Sequence, residues 1–200
     1  RYPSRGFVTA NEVRVPIGQP IELRLSSSDV IHSFWVPQVM GKHDMTPGHV
    51  NTTWLQVDKP GVYWGECTEF CGLQHAKMAF VLVAQTQSEF DAWAAGQQRP
   101  AAESIDPQVL RGAQVFARDG CIRCHTVRQG GAAVGGDLGP DLTHVASRLT
   151  LGAGILANNR GNLAGWTANP QALKPGNYMP VTYLDAESLL AVVAYLESLK

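Results

Sequence analysis

All four cysteines of this chain fall into two close pairs, Cys67/Cys71 and Cys121/Cys124, and a histidine follows each pair, His75 and His125. Four cysteines in a soluble chain are compatible with disulfides or with a single zinc site, so the residues around each pair have to decide. With 200 residues, 44% hydrophobic and 16% charged, the chain can bury a sizeable core as one or two domains, and its 20 Gly and 12 Pro mark it as rich in loops. Sixteen basic against 17 acidic side chains leave a net charge of -1, which excludes a basic groove for nucleic acid and gives no long-range field toward an anionic membrane.

The longest apolar runs, residues 78–84 and 189–196, fall far short of the ~20 residues that span a bilayer, so the chain as given is expected to be soluble. It begins at Arg1 with no initiator Met and no recognisable signal segment, which suggests that something upstream has been removed. There is no internal repeat and no low-complexity tract.

The first ninety or so residues read as short strands at 7–15, 21–25, 53–57 and 78–83, separated by turn signals such as Pro47-Gly48 and Pro60-Gly61. That spacing predicts a small β-sandwich or Greek-key barrel. From Ser88 the pattern changes to a short N-capped helix over 88–95, followed by a polar stretch over 97–107. Beyond it the strand signal disappears. Pro107 opens a helix with Val109, Ala113 and Phe116 on one face, and Asp185 caps a last helix striped by Leu189, Val192, Val193 and Leu196. Two helices bracketing about sixty loop-rich residues make a thin protein core, which a large apolar cofactor would fill.

Cys121-Ile122-Arg123-Cys124-His125 is the c-type haem attachment pentapeptide: two thiols add to the haem vinyl groups, and the histidine ligates the iron from one face. Its rivals are a thioredoxin-like dithiol, which wants a βαβ setting absent here, and a zinc knuckle, which needs a second ligand pair nearby. The second axial ligand should lie well downstream, and Met179, before Pro180, offers a thioether on a loop just ahead of the closing helix. Met179 as a core-filling side chain and His144 as the axial ligand are the competing readings.

The first pair belongs to Cys67-Thr68-Glu69-Phe70-Cys71-Gly72-Leu73-Gln74-His75-Ala76-Lys77-Met78, where two thiols, an imidazole and a thioether lie within one short segment. Soft S and N donors at this density suit copper. One Cys with His and Met would describe a mononuclear blue-copper site; the second Cys allows two thiolates to bridge two metal ions, with one His for each. The other His is expected from a separate loop, at His32 in Asp29-Val30-Ile31-His32. A Cys67–Cys71 disulfide is the alternative, since four-residue spacing permits it if the loop turns sharply.

These residues carry two resemblances. Cys121 to His125, then Gly139-Pro140-Asp141-Leu142, Met179-Pro180 and a final aromatic-bearing helix resemble class I cytochrome c, with Gly112, Phe116 and Tyr195 matching the residues at which that family's first and last helices cross. The first segment resembles the CuA domain of haem-copper oxidase subunit II. That resemblance implies a dinuclear copper centre held by His32, Cys67, Cys71, His75, Met78 and the Glu69 backbone carbonyl. It also implies a role for the Glu69 carboxylate in binding magnesium at the interface with subunit I. Glu69 stands where nitrous oxide reductases typically carry Trp, and Lys42, Asp44, Pro47 and Gly48 match a segment facing the catalytic subunit. His43 and His49 match no ligand position and read as solvated loop residues; Trp35 and Trp64 read as packing or shielding near the copper.

A CuA domain followed by a cytochrome c domain resembles subunit II of caa3-type cytochrome c oxidases. The implied architecture is an all-β cupredoxin-like Greek-key sandwich at residues 1–97, a linker at 98–106, and an all-α class I cytochrome c at 107–200. The implied function is respiratory electron transfer from an upstream donor, such as a quinol:cytochrome c reductase or a small cytochrome or copper protein, through covalent haem c and CuA to haem a of subunit I. Oxygen reduction belongs to subunit I, and no residue here is assigned a catalytic role. The implied location is the outer, periplasmic face of the bacterial plasma membrane, with transmembrane anchor helices upstream of this fragment. A free-standing periplasmic two-centre carrier and a nitrogen-oxide reductase subunit are the alternatives.

Overall fold

Alternation of apolar and polar residues at 21–25 produces a strand, β2 (Ile21–Leu25), that ends on the buried Leu25. In the computed structural model, which describes residues 1–130 and 132–200, it is accompanied by β1 (Glu12–Pro16), β3 (His32–Val36), β4 (Met40–Met45), β5 (Asn51–Leu55), β6 (Gly61–Cys67) and β7 (Ala79–Gln85). Five of them form a sheet in the order β1-β7-β6-β3-β4, and β2 pairs with β5 in a second. β1 runs parallel to β7, from Glu12 opposite Val81 to Pro16 opposite Gln85; the other pairings are antiparallel. Val15, Val36, Leu82 and Ala84 from the larger sheet meet Leu55 of the smaller in one apolar cluster, the core of a cupredoxin-like β-sandwich.

The strand expected over 7–15 is shorter than predicted. Phe7 pairs with Tyr2 in an isolated bridge, and β1 starts at Glu12, after Asn11 turns the chain in the left-handed region at φ 59. The helix expected over 88–95 is α1 (Gln87–Gln98), which extends one residue into the stretch read as linker. Its start is capped by Thr86 rather than Ser88: Thr86 Oγ1 accepts from Glu89 N at 3.3 Å while Glu89 Oε2 accepts from Thr86 N at 2.8 Å, a reciprocal capping box.

The chain divides into two compact units. One comprises Asn11–Ala94 with Ala153–Ile155, and the other Arg1–Ala10, Ala95–Gly152 and Leu156–Lys200. In the second, α2 (Pro107–Arg118) is capped by Asp106, whose side chain accepts from Gln108 N and Val109 N, and the last helix (Ala186–Ser198) by Asp185, which accepts from Ser188 N. The two helices cross where Gly112 leaves no side chain in the way: a Cβ there would lie 2.0 Å from the Ala191 carbonyl oxygen. Phe116 and Tyr195 pack beside the crossing with ring centroids 5.6 Å apart.

Between these helices the structure adds what sequence reading left as loop: α3 (Arg160–Ala168) and the single turn α4 (Pro170–Leu173), which makes the closing helix α5. Gly161, Asn162 and Gly165 give α3 poor intrinsic propensity. It is held by the Asn159 cap, which accepts from Asn162 N at 3.0 Å, and by burial of Leu163 and Thr167. Two short hairpins complete this unit, β8 (Val127–Gln129) with β9 (Ala132–Val134), and β10 (Thr150–Leu151) with β11 (Leu156–Ala157). Among the described residues no helix is long and apolar enough to cross a membrane.

Candidate copper and haem centres

β6 ends on Cys67, and the loop to β7 carries Cys71, His75 and Met78; the neighbouring strand β3 begins at His32. His32 thus sits at the first position of a strand rather than on a separate loop, because β3 and β6 pair with Phe34 opposite Cys67. The loop is closed at its base by Cys67 N donating to Met78 O at 3.0 Å and tied to β3 by Thr68 N donating to Ser33 O at 3.3 Å.

The six expected donors are brought together. Cys67 Sγ lies 3.8 Å from Cys71 Sγ, 3.8 Å from His32 Nδ1 and 3.3 Å from the Glu69 carbonyl oxygen. Cys71 Sγ lies 3.7 Å from His75 Nδ1 and 3.9 Å from Met78 Sδ. Each thiol therefore faces the other thiol, at least one imidazole and one weaker donor. This set fits a pair of copper ions: two soft anionic sulfurs able to bridge, two imidazoles, a thioether and a carbonyl. The thiols are free, at a separation well beyond the ~2.05 Å of a disulfide bond.

The electrostatics separate the two thiols. Burial opposes ionisation of Cys67, but hydrogen bonds with the Ser33 and Glu69 backbone and with the His32 and His75 rings outweigh it and bring the thiol down to about 7. Burial, reinforced by the neighbouring Cys67, pushes Cys71 up to about 11. Burial works against a charged His32, yet the carboxylate of Asp29 and the Cys67 sulfur hold its pKa above the ordinary value. Asp29 Oδ1 is 3.0 Å from His32 Nε2, which directs Nδ1 toward the sulfurs; this partner was not singled out in the sequence, where its only signal is an acid three residues before the histidine.

Glu69 turns its carboxylate outward, 3.9 Å from Lys42 Nζ. His49 is exposed, but His43 is not a solvated loop residue: it lies half-buried on β4, its Nε2 3.2 Å from Thr53 Oγ1. Trp64 does not shield the sulfurs, since strand alternation places it on the opposite face of β6 from Cys67, where it is 53% exposed. Trp35 is half-buried opposite Glu66.

In the second unit Cys121 opens a 3-10 turn, Cys121–Arg123, and the Cys121 carbonyl accepts from both Cys124 N (3.2 Å) and His125 N (3.0 Å), so the two thiols and the imidazole leave one tight turn. His125 Nδ1 is 2.9 Å from the Pro140 carbonyl, to which it must donate, leaving Nε2 as the free ligand atom. Burial lowers the pKa of this ring and favours the neutral form that a metal requires. Gly139 packs against the imidazole so closely that a Cβ would lie 2.4 Å from His125 Cε1. This preset tautomer and close-packed ring fit a haem-ligating histidine. Met179 is half-buried in the segment joining α4 and α5. His144 is buried and donates from Nε2 to the Arg99 carbonyl at 3.0 Å, a bond that occupies the nitrogen an axial ligand would need free.

Residues 4–85 match the family described as cytochrome C oxidase subunit II, periplasmic domain, and residues 109–200 match the cytochrome c family. Taken together, these matches make the chain similar to cytochrome c oxidase subunit II extended by a cytochrome c domain. It is 42% identical over 200 residues to cytochrome c oxidase subunit 2 of Alkalihalophilus pseudofirmus, covering 100% of this chain and 57% of that one. It is 36% identical over 209 residues to cytochrome c oxidase subunit 2 of Bacillus sp. strain PS3, covering 100% and 58%. The chain thus spans a little over half the length of these relatives. The solved periplasmic domain of subunit II of cytochrome oxidase of Bradyrhizobium japonicum is 35% identical, covers 44% of this chain and 64% of its own, and superposes with a TM-score of 0.43.

Proposed function

We propose that this chain is subunit II, the electron-entry subunit, of a caa3-type cytochrome c oxidase, accepting electrons singly from an upstream donor and delivering them to subunit I. The observation that carries this reading is the convergence of four donor atoms on two facing thiols at 3.3–3.9 Å, in the unit similar to the periplasmic domain of subunit II. A dinuclear copper centre and a covalent haem c supply reversible one-electron chemistry when bound.

Cys67, Cys71, His32, His75, Met78 and the Glu69 carbonyl would hold the copper, and Cys121, Cys124, His125 and Met179 the haem. The strands do the positioning: His32 and Cys67 stand on paired backbones, so their donor atoms are fixed by sheet hydrogen bonds rather than by loop conformation. Donors held this way need move little when charge changes, which favours fast electron exchange. His125 is likewise fixed through Pro140 before any ligand arrives. The working limits are a copper domain at 1–97, a linker at 98–106 and a haem domain at 107–200. The donor is a quinol:cytochrome c reductase or a small cytochrome or copper protein, and the site of action is the periplasmic face. The Glu69 carboxylate takes up magnesium where it meets subunit I, exchanging Lys42 for the cation.

Elemental analysis and electron paramagnetic resonance of the loaded chain test the reading. Two copper ions sharing one unpaired electron, with one covalent haem, are expected; a single copper of the blue type overturns the dinuclear assignment. Co-purification with subunit I separates an oxidase subunit from a free-standing carrier.

A further inference from the structure

Two amide side chains hold the backbone of the loop that carries Met179. Gln171, on α4, donates from Nε2 to the Met179 and Asn177 carbonyl oxygens, both at 2.7 Å, and its Oε1 accepts from Gly176 N at 3.0 Å. Asn177 completes the set: its Oδ1 accepts from Met179 N at 2.8 Å, and its Nδ2 donates to Lys174 O at 2.6 Å and Pro170 O at 3.1 Å. Both backbone polar groups of Met179 are thereby taken up, and each amide uses its two N–H donors and its oxygen.

The loop between them is a turn with Pro175 and Gly176 at its centre, closed by Asn177 N donating to Lys174 O at 3.3 Å, and Gly176 takes the positive φ, 83°, that the third position of a type II turn requires. Tyr178, the residue before the methionine, is fully exposed. Hydrogen bonds on both sides of its peptide therefore fix the backbone of residue 179.

We propose that Gln171 and Asn177 are positioning residues for the Met179 thioether, and that their grip on its backbone determines how readily the sulfur yields its place on the haem iron to an outside ligand. This rests on the reading of Met179 as axial ligand. A neutral thioether is a weak donor, so its hold on a metal depends on how little ordering its loop must undergo on binding. Each hydrogen bond lost from the clamp should shift that equilibrium by about fivefold.

The test is a titration of the oxidised, haem-loaded full chain with imidazole, followed by loss of the sulfur-to-iron absorption band. Wild type should show the band and bind imidazole weakly, and M179A should lack the band and bind it far more tightly; failure of either removes the ligand reading and the clamp with it. Given both, Q171A and N177A are expected to bind imidazole at least about tenfold more tightly than wild type, because each loses three clamp hydrogen bonds. N177D, which keeps the acceptor for Met179 N, should fall between. Imidazole affinities of Q171A and N177A within about twofold of wild type overturn the clamp while leaving the ligand in place. If N177A does not take up haem, Q171A decides alone, since it retains the Asn177–Met179 bond. A packing variant in the same core, L199A, separates positioning from stability: it should lower the melting temperature yet leave imidazole affinity at the wild-type value, and an equal rise in affinity there overturns the proposal.

Discussion

A methyl group on residue 139 would stand 2.4 Å from Cε1 and 2.6 Å from Nδ1 of His125, closer than any carbon can come. Gly139→Ala must therefore push the imidazole away from the Pro140 carbonyl that orients it. The expected result is a chain that takes up less haem and whose oxidised form shows a mixed-spin absorption spectrum; normal loading with an unchanged spectrum would falsify the orienting role of this contact. The sulfur pair makes a second prediction at the same scale. Because Cys71 Sγ is the sulfur beside Met78 Sδ and lies 3.7 Å from His75 Nδ1, Cys71→Ser removes one of the two sulfurs and the partner of Met78. Copper content should fall from two to at most one per chain and the shared-electron resonance signal should vanish, and retention of two coppers with that signal would contradict the bridging role.

At the scale of elements, the second unit depends on one helix crossing and two caps. Gly112→Ala places a Cβ against the backbone of α5, at the Ala191 carbonyl, where no side-chain rotation can relieve it. The helices must separate, and overpacking of this kind costs about 1–3 kcal/mol, or a melting temperature lower by roughly 4–20 °C in a unit of this size. Differential scanning calorimetry checks it. Asp185 caps α5, and its hydrogen bonds with Ser188 hold the carboxyl below its ordinary value of 3.8. A carboxyl depressed in the folded state stabilises at pH above the unfolded value and loses that contribution as the pH falls through it toward the folded one. Unfolding at pH 6 should thus be easier in Asp185→Ala than in wild type, with the difference shrinking below pH 4 as both lose the charged cap. A difference that grows on acidification would contradict this. Because Asp185 is fully exposed, the effect belongs to the cap geometry rather than to burial.

At the scale of the whole molecule, two separate apolar clusters, one centred on Val36, Leu55 and Leu82 and the other on Val115, Val192 and Leu199, predict two calorimetric transitions rather than one. Chelating copper from the loaded chain should lower only the first, by several degrees, since a ligand that binds only the folded state stabilises the unit that holds it. A single transition, or equal displacement of both, would overturn that partition. The sequence by itself determined the chemistry and the ends of the strongest elements. The pentapeptide at Cys121, the donor-dense segment from Cys67 to Met78, the helix start at Pro107 and the Asp185 cap are local patterns whose meaning lies in spacing along the chain. The switch from strands to helices was legible for the same reason, as a change of hydrophobic period. Tertiary structure decided what depends on neighbours distant in sequence. His32 proved to begin a strand because β6 lies beside it, and Trp64 proved to face away from the sulfurs because alternation along β6 leaves no choice. α3 formed despite two glycines because Leu163 and Thr167 had a core to enter. The clamp on Met179 exists only once α4 brings Gln171 against the turn. Local patterns reveal which side chains can do chemistry; only packing, which joins segments tens of residues apart, fixes where those side chains stand and what holds them there.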